Sequence, residues 1–393
     1  MSTQAIVINA AARQRYLLVL LFAGFVLTGV EITLAGPMLP LFIQRWSLTD
    51  SQAGTFFMLE FGCSLAGVWL SSLITHYLGS RSSLVLGYLA IGMGLAIVNA
   101  ASMNVALFAL GALGTGYGLV VPVTNVAVAE IGGARSASLV SLVNFAWGVG
   151  SFAIPLLVLV ALKGAFLTKM LYVFAGFGGL LAFSFLFSHF PEHHESAPGS
   201  KTSASPLNVG VIVTSTLAAL FFLYVAMEVS IGSWAAAHVK RLTTNGGGLA
   251  TLAPMFFYGG LMAGRALAPL ILPHVRELRL VWAALVVVIV FGSIFVFANT
   301  QRTAFISVTV TGLGCAAIFP IYVAWLSRWY GKQIARVRGV MFSMSSIGSA
   351  SAPGIVGFVS THAGGLRAGL LVPLVCAVLM VLLLVLVRRQ AAA

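Results

Sequence analysis

Apolar runs long enough to cross a bilayer as a helix, about 20 residues, recur along the whole 393-residue chain. Twelve can be marked, at roughly 16–43, 51–78, 81–101, 104–130, 137–162, 166–190, 208–238, 247–272, 278–298, 303–328, 334–360 and 366–388. Hydrocarbon offers no water to backbone N–H and C=O groups, so only helices and closed barrels span it. The runs are continuous, whereas barrel strands are short and alternate. Composition points the same way: 7% of residues are charged, against about 25% in soluble domains. The chain therefore reads as an all-α polytopic membrane protein with twelve transmembrane helices. Its first run is long enough to span and is followed by no small-residue cleavage site, so it is expected to be the first helix and not a removable signal.

The net charge of +13 does not indicate nucleic acid, because the basic residues are scattered over short loops. They read as topology signals. With the N-terminus inside, inner segments carry 14 Lys and Arg and outer segments 7. Both termini and the central linker are then expected in the cytoplasm, and the protein in the inner membrane. The stretch from Pro191 to Pro206 is rich in Pro, Ser, Gly and His, as flexible linkers are. It divides the chain into a six-helix bundle at 1–190, a linker at 191–207 and a second six-helix bundle at 208–393. His193 and His194 read as part of that solvated linker, not as a metal site. Cys63, Cys315 and Cys376 stand singly in apolar runs, without metal or redox spacing.

The halves repeat. Gly114-x-Gly116-x5-Pro122 returns as Gly312-x-Gly314-x5-Pro320, and Gly150-Ser151-x3-Pro155 as Gly348-Ser349-x3-Pro353, both at an offset of 198 residues. Gly29-Val30-Glu31-Ile32-Thr33 is echoed by Ala226-Met227-Glu228-Val229-Ser230, one residue short of that offset. Two parallel, pseudo-symmetric six-helix bundles imply alternating access, with a site at the midplane.

Acids inside spans are costly, roughly 2.5 kcal/mol or more each on insertion scales, and are functional candidates by default. Of eight Asp and Glu, three fall within spans: Glu31, Glu60 and Glu228. The first half has no Lys or Arg well inside a span, and Arg265 lies near an inner end, so no cationic partner is expected for them. An unpaired carboxylate in low dielectric tends to be protonated. It then serves as a proton carrier, neutral when occluded and ionised when water reaches it. The same groups can instead hold a ligand or fix helix packing. Glu130, near Arg135 at the inner end of helix 4, reads as one side of a gate or terminus ion pair. The run Gly111-x2-Gly114-x-Gly116-x-Gly118 lacks a preceding strand and a Lys-Ser/Thr, so it reads as close helix packing, not a phosphate loop.

Several motifs are similar to those of the major facilitator superfamily, and within it of the fucose-permease-like sugar transporters. Gly36-Pro37-x2-Pro40 ends the first helix; Tyr224-x3-Glu228-x3-Gly232-x-Trp234 lies in the seventh; Gly312-x-Gly314-x-Ala316-x2-Phe319-Pro320 lies in the tenth; Gly348-x4-Pro353-x3-Gly357 lies in the eleventh. The resemblance implies that helices 1, 4, 7 and 10 line a central cavity, which places Glu31 and Glu228 on it. The superfamily's loop between helices 2 and 3 carries an Asp-Arg pair that is absent here. Only Gly79 and Arg81 remain, while Gly264-Arg265 follows the pattern after helix 8. The helix-4 acid of the fucose permeases falls on Val121.

A sugar site needs several hydrogen-bonding groups and an aromatic face. The candidates are Asn125, Asn144, Trp147, Tyr224, Tyr322 and Trp325. Asn144 and Trp147 are three apart, as are Tyr322 and Trp325, so each pair shares a helix face. Gly79, Arg81, Glu130, Arg135 and Arg265 are gating or structural candidates. The chain has no nucleotide motif, nucleophile–base arrangement or metal spacing, so neither an enzyme nor ATP-driven transport is expected. The expectation is a monomeric secondary transporter, without cofactor, that moves a small polar solute, a sugar, by proton-coupled symport. A proton/drug antiporter and a non-transporting membrane sensor are the alternatives.

Overall fold

The computed structural model describes residues 3–132, 136–188, 190, 211–242, 248–271, 274–330 and 334–391, which are helical apart from short connections and contain no strand. In chain order, α1 is Thr3–Trp46. The rod Asp50–Ile97 breaks at Gly79 (φ 81°, ψ 162°) into α2 (50–78) and α3 (80–97). Glycine carries no Cβ to oppose that positive φ. Then come α4 Met103–Gly132, α5 Ser136–Lys163 and α6 Leu167–Leu186. The second half holds α7 Val211–Arg241, α8 Ala253–Ile271 and α9 Glu277–Val296. It continues with α10, in two pieces Gln301–Cys315 and Ile318–Tyr330, and with α11 Ile334–His362. Last is α12, Leu366–Gly369 and Leu371–Ala391.

Among the described residues, ten helices are long and apolar enough to cross a membrane. The 50–97 rod is one of the ten, and its break at Gly79 makes it two helices. α8, with Arg265 and several glycines diluting its hydropathy, lies outside that set. These segments follow the order of the twelve runs in the sequence.

α1 corrects one expectation. Gly36-Pro37-x2-Pro40 does not end it, because the helix continues through Pro37 and Pro40 to Trp46. Neighbouring helices in membrane proteins re-satisfy the backbone groups that a proline frees.

The chain forms two compact units, residues 1–34 with 59–198, and residues 35–58 with 199–393. The expected bundles at 1–190 and 208–393 would put residues 35–58 in the first half. The hairpin of residues 35–58, where α1 meets α2, packs as part of the second unit. The linker at 191–207 lies outside the described residues.

The duplicated glycines do the same work in both units. A Cβ on Gly114 of α4 would strike the Glu60 carbonyl on α2, and one on Gly312 of α10 would strike the Phe257 carbonyl on α8. Likewise Gly150 of α5 lies against Val26 of α1, and Gly348 of α11 against Phe222 of α7. Each repeat pair is thus a backbone-to-backbone crossing that only a residue without a side chain permits.

Long-range polar contacts join helix ends that the sequence assigns to the same side. Arg81 donates to the Leu186 carbonyl (3.4 Å), and Asn99 donates to Thr168 (2.9 Å). Arg328 pairs with Glu277 (2.9 Å), and Arg367 donates to the Ala298 carbonyl (3.1 Å). Within each unit, these contacts agree with the alternation of helix ends expected from the sequence.

Candidate functional site

In the first unit, Glu31 of α1 and Glu60 of α2 are both fully buried. None of their four carboxylate oxygens meets a hydrogen-bond partner among the described residues. The two side chains are near enough for their charges to interact. Close helix crossings lie near both acids in the chain. Gly29 lets α1 lie against the Trp147 backbone of α5, where the Ser151 hydroxyl donates to the Gly29 carbonyl (3.1 Å). Gly114 does the same for α4 beside Glu60. Neither Glu31 nor Glu60 has any exposed surface. Trp147 is half-buried, and its indole N–H is a further buried polar group without a partner among the described residues. Asn144 of α5 donates to Asn125 of α4 (3.0 Å), and each amide also donates back to its own helix, at Val140 and Val121. The structure thus brings Asn125 and Asn144 together as a bridge between α4 and α5.

The second unit is built differently. Glu228 of α7 lies 3.9 Å from the Arg265 guanidinium of α8, with side chains 14% and 38% exposed. This corrects the expectation that no cation accompanies the acids. Arg265, read as an inner-end residue, reaches Glu228 in the middle of α7. One turn earlier, Tyr224 is buried and its hydroxyl donates to the Cys315 carbonyl (3.0 Å), where α10 is interrupted. Its ring packs on Phe319 and Tyr322, with centroids 5.7 and 6.4 Å away. Tyr322 is buried beside Met380, 3.7 Å from its sulfur. The Trp325 indole donates to Glu277 (2.7 Å), the carboxylate that also holds Arg328. These three aromatic residues spend their polar atoms on protein partners.

Gly79 forms the α2–α3 turn, and Arg81 secures it to the end of α6. Glu130 is exposed near the end of α4, while Arg135 lies outside the described residues.

Sequence reasoning missed one cluster. Thr49 and Gln52 form a reciprocal cap at the start of α2: the Gln52 N–H donates to Thr49 Oγ1 (3.3 Å) and the Thr49 N–H to Gln52 Oε1 (2.9 Å). The next residue, Asp50, accepts both arms of the Arg241 guanidinium at the end of α7, one at 2.8 Å, and the Ser360 hydroxyl of α11. The Ser51 N–H donates to Thr361 (2.8 Å), and Gly54 faces Gly354 so closely that a Cβ would lie 3.1 Å from its Cα. Trp234 closes the packing, donating to the Pro353 carbonyl (3.0 Å) against Phe57. The available signal was an oppositely charged pair, Asp50 and Arg241, on one predicted side.

A duplicated, all-helical chain with ionisable groups buried in mid-span has the build of a secondary transporter. Residues 21–309 match the Major Facilitator Superfamily, and the chain belongs to that family of membrane transporters. It is similar to the sodium-dependent glucose transporter 1A of Mus musculus, 21% identical over 388 residues, 87% of this chain and 89% of that protein. Its fold is similar to that of a bacterial homologue of the human lysosomal transporter Spinster in an inward-facing, unoccupied conformation. There the TM-score is 0.76 at 15% identity, with 96% of this chain and 97% of the other covered. It is also similar to a variant of the Escherichia coli fucose:proton symporter, with a TM-score of 0.61 at 17% identity, 93% of this chain and 97% of the other covered.

Proposed function

We propose that this transporter is a proton-coupled symporter of a small polyhydroxylated solute of the sugar class. The observation that carries the reading is the dry pair Glu31 and Glu60. Two carboxyl groups without partners among the described residues are retained at a cost of several kcal/mol in a membrane interior. A group that takes a proton when occluded and gives it up when water enters gives that cost a purpose. The names of the mouse glucose transporter and the bacterial fucose:proton symporter support the solute class. Asn125, Asn144 and Trp147, in the same unit, supply amide and indole groups suited to hydroxyls. The excess of Lys and Arg on one set of loops supports cytoplasmic termini in an inner membrane, and we take the working unit to be a monomer.

The test is sugar uptake into proteoliposomes driven by a pH gradient, by a sodium gradient, or by neither. The pH gradient should drive accumulation in the wild type. Glu31→Gln and Glu60→Gln should lose accumulation while retaining solute exchange. Accumulation driven by sodium alone, favoured by the name of the mouse relative, would replace the proton as coupling ion. Undiminished proton-driven accumulation in both variants would remove the two acids from the mechanism.

A further inference from the structure

The two units spend their charges differently, and Arg265 is left unused by the reading above. A guanidinium has five N–H donors in a planar fork. Here its one ionic contact among the described residues is Glu228 Oε1 at 3.9 Å, beyond the ~3.2 Å reach of an N–H···O bond. The Arg265 side chain is 38% exposed, so protein does not cover it fully. The nearby Tyr224 hydroxyl donates to the Cys315 carbonyl and also lies within hydrogen-bonding reach of Glu228. Arginine is among the costliest residues to carry in a span. A pair that served packing alone would be expected to close to hydrogen-bonding distance and bury its donors.

We infer that Arg265 is the receptor for a carboxylate on the transported solute, and that Glu228 takes up one proton as that carboxylate binds. This rests on the proposed sugar-class transport and narrows it to sugar acids. The fork presents two parallel N–H groups, the complement of a planar carboxylate. Charge accounting supplies the coupling. Arg265 with ionised Glu228 is neutral; adding a monoanion leaves one uncompensated negative charge in a low dielectric, which is strongly disfavoured. A proton passed from hydronium or a buffer acid to a Glu228 oxygen restores neutrality: one O–H forms on Glu228 as the donor's bond to that proton breaks. A neutral sugar would leave the ion pair as it is and would draw no proton at this site.

The experiment uses the full chain in detergent with matched probes: glucose against glucuronate, and galactose against galacturonate. Thermal shift and calorimetry are read in buffers of different ionisation enthalpy. The acid of at least one pair should raise the melting temperature more than its neutral partner, with uptake of about one proton per molecule bound. Arg265→Gln should weaken acid binding about 10- to 150-fold, the worth of hydrogen bonds to a charged group, and Arg265→Lys less. Glu228→Gln, which keeps the size and leaves Arg265 in place, should bind the acid without proton uptake. Its melting temperature without ligand checks that the site is folded. Binding of neutral sugars with no acid preference would overturn the carboxylate assignment and leave the sugar reading intact. So would Arg265→Gln binding the acid as tightly as wild type. Acid binding with unchanged proton uptake in Glu228→Gln would overturn the role of that residue. If neither the acids nor the neutral sugars bind, the sugar-class reading itself fails, and this inference with it.

Discussion

The contacts around Asp50 make the 35–58 hairpin a strap held to α7 and α11. Removing the Asp50 carboxylate tests this. Asp50 is 10% exposed and Arg241 is 39% exposed. In Asp50→Ala the arginine can turn to water, so no buried charge is stranded. What is lost is a two-pronged charged hydrogen bond and the Ser360 contact. Hydrogen bonds to charged groups contribute about 1.5–3 kcal/mol, and exposed ion pairs about 0–1. With the partner two-fifths exposed, roughly 1–2 kcal/mol is reasonable, or about a 5- to 30-fold shift toward the released strap. The Ser51 N–H is the reporter, since its partner is Thr361 on α11 and not its own helix. Deuterium exchange of a peptide covering residues 47–57 should speed up by that factor. The charge swap Asp50→Arg with Arg241→Asp should recover most of the protection. Unchanged exchange in Asp50→Ala, or no recovery in the swap, would refute a strap held by this pair.

Two further outcomes follow from packing. Gly312→Ala should lower the melting temperature, because the new methyl meets the Phe257 backbone, and overpacking costs about 1–3 kcal/mol. Gly176→Ala, with nothing within 4 Å of its Cβ, should raise it by helix propensity, up to ~1 kcal/mol; shifts of the same sign in a detergent thermal melt would contradict this. Glu277→Ala should cost about 1–2 kcal/mol and change the tryptophan emission, because the Trp325 indole loses its acceptor while Arg328, 56% exposed, turns to solvent. An unaltered emission spectrum would show that the indole is not anchored there.

Much of the fold is legible in the sequence because hydrophobic length is a strong local signal. The runs, the polar linker and the 198-residue repeat required no tertiary information. The break at Gly79 was visible too, since a Gly-Ser-Arg stretch between two apolar runs reads as a turn. Cross-chain pairing was hidden. Arg265 looked peripheral because distance along α8 was judged from the loop. Its long side chain reaches the depth of Glu228, and only the crossing of α7 and α8 reveals that. Tyr322 and Trp325 looked like a ligand face from their spacing. Whether such a face points at solute or at Met380 and Glu277 depends on neighbours about 50 residues away. The strap is non-local in the same way, joining residues 191 and 310 positions apart.

Glu31 and Glu228 are near-equivalents in the duplication, yet their surroundings have diverged, and the offset shows where. At 198 residues, Arg265 of α8 corresponds to Gly67 of α2, and Glu60 of α2 corresponds to Tyr258 of α8. Gly67 cannot be given even a methyl without striking the Thr115 carbonyl of α4, so the first unit has no space for a cation where the second has one. The first unit's second acid, Glu60, stands seven residues before Gly67, where α8 carries Tyr258. The first unit thus holds two carboxyl groups without partners among the described residues, and the second an acid beside a cation. The first arrangement favours holding protons, because nothing nearby stabilises negative charge. The second favours exchanging one anion for another on a fixed cation. The proposed coupling of a proton to an anionic solute draws on both, the unpartnered acids of the first unit and the Arg265–Glu228 pair of the second.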